Sequence, residues 1–220
     1  MRTVLTVLTA FVFFATPGLA ASSIGAVTLV HFDAYGTVEG SNKKRLFVRD
    51  DVYQNEMVET VTDGALHLKF SDKTIFRLGS ASRMTLDTLV YDPNDKKNDR
   101  MVISMVQGVF RFISGKINKR GIRLLTPTVG IGIRGTDFTV VIATDGGTSV
   151  SVAEGEIEIT PTVGGDPVIV ATGQIATVSA TSHNVSISSG NAASNDPGLS
   201  EAGPDSGGQG GDGGAGGGGH

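Results

Sequence analysis

Four histidines (His31, His67, His183, His220) and a carboxylate row (Glu154, Glu156, Glu158) are the side chains of this chain best suited to chemistry. A zinc site needs several His, Cys or carboxylate ligands at short spacing. None of the four histidines has a partner at that spacing, and the chain has no Cys, so no metal ligand set is expected. Paired carboxylates do acid–base work when burial separates their pKa values. The three glutamates sit opposite Ile157 and Ile159 in an alternating pattern, which expects them on a solvated face. Asp92-Pro93-Asn94-Asp95-Lys96 starts like a calcium loop. A cation then stands where the fifth position needs an oxygen ligand, so a hydrated hairpin loop is expected. Residues 207–212 match the first part of one calcium β-roll repeat, but such units need several copies to stack.

The remaining candidate is the run Thr126–Phe138. Pro127 marks a strand start or edge, and Gly135 permits a bulge or a close backbone approach. Arg134 is the one basic residue between Leu125 and Ser189, against six acidic ones. A guanidinium there has five donors with which to tie Asp137 or nearby carbonyls together. The alternative role is ligand binding, with Arg134, Gly135, Thr136 and Asp137 as the candidate binding residues. Gly130-Ile131-Gly132 lies inside a strand pattern with no helix after it, which excludes a dinucleotide fingerprint. No nucleophile elbow, phosphate loop or Ser/His/Asp set is present, so no catalytic residue and no cofactor are expected.

The elements that must position these residues read as strands. Leu66, Leu68 and Phe70 alternate with His67 and Lys69; Met101, Ile103 and Met105 alternate with Val102 and Ser104. Val129, Ile131 and Ile133, then Phe138, Val140 and Ile142, then Val150 and Val152, continue the period of two. Such alternation puts one face in a core and the other toward water. Turn signals, among them Asp63-Gly64, Asp145-Gly146-Gly147 and Gly164-Gly165, recur about every 8–12 residues, which indicates a sandwich, barrel or solenoid of short strands. No capped helical run appears.

The ends differ from the middle. Arg2, an apolar run from Val4 to Ala15, and small residues up to Ala20 form the three-part pattern of a signal peptide over residues 1–20, with cleavage before Ala21. No later segment is apolar for long enough to span a bilayer, so no stable membrane insertion is expected after cleavage. A β domain is expected over residues 21–189, and a disordered Gly-rich tail over 190–220. A net charge of −4 argues against nucleic acid as a partner. Between Ser22 and Leu124 there are 16 basic and 12 acidic residues. A progressively wound chain would therefore be basic at one end and acidic at the other.

These residues resemble the FecR domain family. TPTVGIGIRGTDFTVVI (126–142) is similar to its hallmark of Thr-Pro, an apolar strand and Arg-Gly-Thr-x-Phe. VETVTDGALHLKFSDKTIFRLGSASRMTLD (58–87), MVISMVQGVFRF (101–112), VAEGEIEI (152–159) and VATGQIATV (170–178) resemble its other blocks, so the likeness runs over about residues 25–180. It implies an all-β, twisted β-solenoid-like or sandwich fold. It also implies a regulator that passes signals across the envelope. The sigma-binding helices and transmembrane helix of those regulators have no counterpart here, and the family's Asp-Gly-Ser element reads Ser71-Asp72-Lys73. The expected function is a non-enzymatic, periplasmic or extracellular module that binds an envelope protein or glycan. The alternative is a secreted structural or surface-matrix β protein.

Overall fold

The computed structural model describes residues 22–190. The expected signal peptide and all but the first residue of the expected tail lie outside those residues.

Fifteen strands follow in chain order. They are β1 (Ser23–His31), β2 (Ala34–Val38), β3 (Lys44–Arg45), β4 (Asp51–Tyr53), β5 (Glu56–Thr60), β6 (Ala65–Phe70), β7 (Ile75–Leu78) and β8 (Arg83–Val90). Then come β9 (Arg100–Ile113), β10 (Ile122–Leu125), β11 (Val129–Ile142), β12 (Thr148–Pro161), β13 (Val168–Ala171), β14 (Gln174–Val178) and β15 (Val185–Ser189). Two single 3-10 turns, Lys96–Asn98 and Lys119–Gly121, interrupt the strands. The fold is all-β, as the alternation predicts.

Three strands are longer than the sequence spacing suggests. β9, β11 and β12 each run for 14 residues and change neighbours partway. One run of pairings is β15-β14-β12-β11-β9-β7-β6-β1-β4, through the C-terminal parts of β9 and β11 and the N-terminal part of β12. The other is β13-β12-β11-β10-β9-β8-β5-β2-β3, through the opposite parts of the same three strands. Among the described residues only β9 and β10 pair in parallel.

The change of layer has a physical cause visible in the side chains. Along β9 the buried residues are Met101, Ile103 and Met105, then Phe110 and Phe112. The parity switches at Gly108, whose φ is +111°. β11 switches between Ile133 and Phe138 around Gly135 (φ +107°), and β12 between Val152 and Ile157 around Gly155 (φ +84°). Period-two alternation sends successive side chains to opposite faces, so one extra residue turns the strand's other face inward. A residue without Cβ takes the positive φ of such a corner at no steric cost.

Both runs feed one hydrophobic core. In the first, Phe70, Phe76, Phe112 and Phe138 stand on neighbouring strands with ring centroids 6.1, 5.2 and 5.2 Å apart in turn. Such pairs add about 0.5–1.5 kcal/mol each beyond the area they bury. In the second, Ile103, Leu124, Ile131 and Ile159 are in register and fully buried.

Candidate functional site

Much of the Thr126–Phe138 run builds the fold. Thr126, Thr128 and Thr148 are buried, and their hydroxyls satisfy one another. Thr128 Oγ1 donates to Thr148 Oγ1 at 2.7 Å, and Thr126 Oγ1 lies 3.0 Å from Thr148 Oγ1. The β10–β11 connection is thus closed by a small polar network inside the core, where unpaired hydroxyls would be costly. Val129, Ile131, Ile133 and Phe138 are core residues.

The four candidate binding residues separate. Asp137 does not meet Arg134. Arg111 on β9 grips it with both ends of the fork, Nε to Oδ1 at 2.9 Å and Nη2 to Oδ2 at 2.7 Å. The β9–β11 register puts Asp137 opposite Ile113 and Thr139 opposite Arg111, so a diagonal cross-strand pair holds the carboxylate. Arg134 points outward from β11, with 54% of its side chain exposed. It reaches across to β12, 3.0 Å from Glu158 Oε2 and 3.6 Å from Glu156 Oε1. The glutamates expected on a solvated face are there, and two of them are Arg134's partners. Gly135 is the β11 corner, and a Cβ on it would run into Lys119 Nζ. Thr136 pairs with Gly155 at the adjoining β12 corner.

Arg134 lines a cleft, and Gly135 lies against Lys119 at its edge. Outside the second run lies a cleft of about 720 Å³, lined by Asn118, Lys119, Arg120, Arg123, Gly132, Ile133, Arg134 and Glu158. Its placement follows from local structure. Arg123 faces outward because Ile122 and Leu124 are buried on either side of it. It lies directly opposite Gly132, whose lack of a side chain leaves the floor open. Lys119 and Arg120 are presented by the 3-10 turn, which Asn118 caps by accepting the Arg120 amide at 3.2 Å. Asp99, buried to 6% exposure, anchors that turn, its carboxylate accepting the amides of Asn118 (2.9 Å) and Asp92 (3.1 Å). The Asp92–Arg100 connection that resembled a calcium loop is thus the buttress of the cleft.

Among the described residues Lys119, Arg120 and Arg123 have no carboxylate partner, while Arg134 is shared with Glu158. The cleft therefore offers several cationic donors around an open floor, an arrangement that attracts carboxylate or other anionic groups. Its one carboxylate is engaged by Arg134, and the lining holds no histidine or hydroxyl nucleophile. Among the described residues no group of three or more His, Cys, Asp or Glu is placed to hold a metal. No helix among them is long and apolar enough to cross a membrane.

The sequence pointed to Arg134 but not to its three basic neighbours. The signal was present in Lys119-Arg120-Gly121-Ile122-Arg123, a basic run ending two residues before the Leu125–Val129 connection. Folding that run back as a hairpin on β11 would have set Arg123 beside Gly132.

Residues 56–158 match the family model described as FecR protein, and every residue lining the cleft falls within them. No curated protein matches the chain. Two crystal structures of a protein from Parabacteroides distasonis ATCC 8503, assigned as an anti-sigma factor, share the fold at a TM-score of 0.50 and 16% identity. The match covers 62% of this chain and 60% of that one.

Proposed function

Taking residues 56–158 as a FecR domain, we propose that this protein is an exported, non-enzymatic module that serves envelope signalling by docking another protein. The cleft of Lys119, Arg120, Arg123 and Arg134 is the docking site, and an acidic segment of the partner is what it receives. The observation that carries this reading is the cleft: three cations without carboxylate partners converge around a glycine floor, inside the family-matched region. The likeness to a protein assigned as an anti-sigma factor supports a regulatory role. The signal-peptide pattern ending at Ala20 supports export, and an exported module would work in the periplasm or outside the cell.

The test is binding kinetics with the partner captured by crosslinking in envelope fractions, for wild type and an Arg120→Glu/Arg123→Glu variant. Charge-guided docking loses on-rate as salt rises, more than it gains off-rate. The variant is expected to associate at least tenfold more slowly and to lose most of the salt dependence. Equal association by the two proteins would refute the cleft as the docking site. Hydrolase or transferase activity on an envelope polymer, abolished by one substitution that leaves the fold intact, would refute the non-enzymatic reading.

A further inference from the structure

Three carboxylates are buried among the described residues: Asp72, Asp99 and Glu56. A buried carboxylate is costly unless donors or a cation satisfy its oxygens. Asp72 accepts from Thr74 and Ile117 on its two oxygens, and Asp99 from Asp92 and Asn118 on its two. Glu56, exposed to only 4%, is different. Its Oε2 accepts the Tyr53 amide at 2.8 Å, while Oε1 accepts no hydrogen bond from the described residues. That free oxygen lies against Gly36, where a Cβ would overlap it. Gly36 and Glu56 both line a cavity of about 220 Å³, with Val38, Leu46 and Tyr53 as further walls and Lys44 and Asp51 beside them.

Lys44 does not supply the missing partner, because its Nζ pairs with Asp50 Oδ2 at 3.1 Å. The charged groups beside Glu56 are thus one cation, already paired, and the carboxylates of Asp50 and Asp51. Burial outweighs the Tyr53 hydrogen bond and the charge of Lys44, and holds the Glu56 carboxyl above its ordinary pKa. The cavity is smaller than the roughly 300–1,000 Å³ that takes a drug-sized ligand, so it admits one side chain or a small molecule. One free oxygen suits a compact ammonium better than a guanidinium, whose fork is matched to two. A hard divalent ion wants several oxygen ligands, and among the described residues no group of three or more His, Cys, Asp or Glu is placed to give them. Val38 and Leu46 offer apolar surface to an alkyl stem, as suits a side chain with a charged head.

We infer that this cavity is a second binding site, which takes a primary ammonium group on an unbranched alkyl chain, such as a lysine side chain. The ammonium donates to Glu56 Oε1, and the alkyl chain lies along Val38 and Leu46. The site shares no residue with the basic cleft, so it and the proposed docking can fail separately.

The probe is Nα-acetyl-lysine methylamide, titrated into the isotope-labelled full chain and followed by amide chemical shifts. Saturable shifts are expected at residues 36–38, 44–46 and 53–56, with half-saturation in the millimolar range of a single weak contact. The norleucine analogue, which lacks the ammonium, and the arginine analogue should each bind at least tenfold more weakly, and so should the lysine probe to a Glu56→Gln variant. A readout in the wild type does not depend on that variant folding. Saturating probe should move the titration midpoint of the Glu56 carboxyl carbon at least about one pH unit lower, because a nearby cation favours the carboxylate. Butylamine distinguishes the source of the ammonium: binding as tight as that of the lysine probe assigns the site to free amines, and weaker binding assigns it to lysine side chains of a polypeptide, either result supporting the site. Equal binding by the norleucine or arginine analogue, undiminished binding by Glu56→Gln, an unmoved Glu56 midpoint, or no saturable shifts at these residues overturns it.

Discussion

Replacing Gly108 by Ala tests whether the corners hold the two strand runs together. Gly108 has φ +111°, outside the region an L side chain readily adopts. A Cβ there would overlap Ser82 Cα, Cβ and Oγ. Ser82 cannot move aside easily. It is buried to 1% exposure, and its hydroxyl both accepts the Val109 amide at 3.0 Å and donates to Val109 O at 3.2 Å. The strained φ costs about 1–3 kcal/mol, and forcing the Ser82 backbone away costs about 1–3 kcal/mol more. Gly40 separates the two contributions: its φ is +76°, and a Cβ added to it would meet nothing within 4 Å. Gly40→Ala should cost only the backbone part, about 1–2 kcal/mol. Equilibrium urea unfolding followed by far-ultraviolet circular dichroism measures both. Gly108→Ala is expected to lose about 3–5 kcal/mol, at least about 1 kcal/mol more than Gly40→Ala. Equal losses would refute the argument that Gly108 is required by close packing at the β9 corner.

The other predictions concern charge. Asp137→Ala, which strands the Arg111 fork, should cost about 1–3 kcal/mol, whereas Arg134→Ala should cost under about 1 kcal/mol because its glutamate pairs are half exposed; denaturant melts giving the reverse order would show Arg134 to be the staple. Glu56 is buried at 4% exposure, its Oε2 accepting the Tyr53 amide at 2.8 Å, and burial raises its pKa above the ordinary 4.5. Its protonated form stabilises the fold below pH 4.5, and that contribution is lost as pH rises through the elevated pKa. Glu56→Gln should therefore gain stability over wild type as pH rises from 4 to 8 in melts taken across that range, and a flat difference would contradict the burial argument. Asp99→Ala should unseat the Lys119–Gly121 turn and weaken partner binding, read as a slower on-rate with the Arg111–Asp137 pair still formed in the spectrum; an unchanged on-rate would remove Asp99 as the buttress.

The strand faces were legible in the sequence because period two is local. Met101, Ile103 and Met105 could be assigned to one face without knowing what they pack against. The continuity of β9, β11 and β12 was not, because a parity switch looks the same in sequence as the end of one strand and the start of another. Gly108, Gly135 and Gly155 carry the difference, and a glycine between apolar runs is also what a turn would show. The expected tie between Arg134 and Asp137 is replaced for a related reason. Asp137 stands three residues away along the chain, but the β11 corner intervenes, and the guanidinium that reaches Asp137 comes from Arg111.

The charge asymmetry shows how a linear count becomes a surface. The basic excess before Leu124 and the acidic excess after Leu125 suggested two poles on a progressively wound chain. The pairing of β10 with both β9 and β11 instead brings the end of the basic half against the start of the acidic half. Arg123 and Glu158 then flank the same glycine, one strand away on either side. At that seam Arg134 takes up Glu158 and Glu156, which leaves Lys119, Arg120 and Arg123 unneutralised rather than paired with the nearest acids. Arg123 instead donates Nη1 to the backbone carbonyls of Ile122 at 3.0 Å and Arg120 at 3.5 Å. The lone cation of the acidic half thus takes up the two glutamates, and the other three line the cleft without carboxylate partners among the described residues.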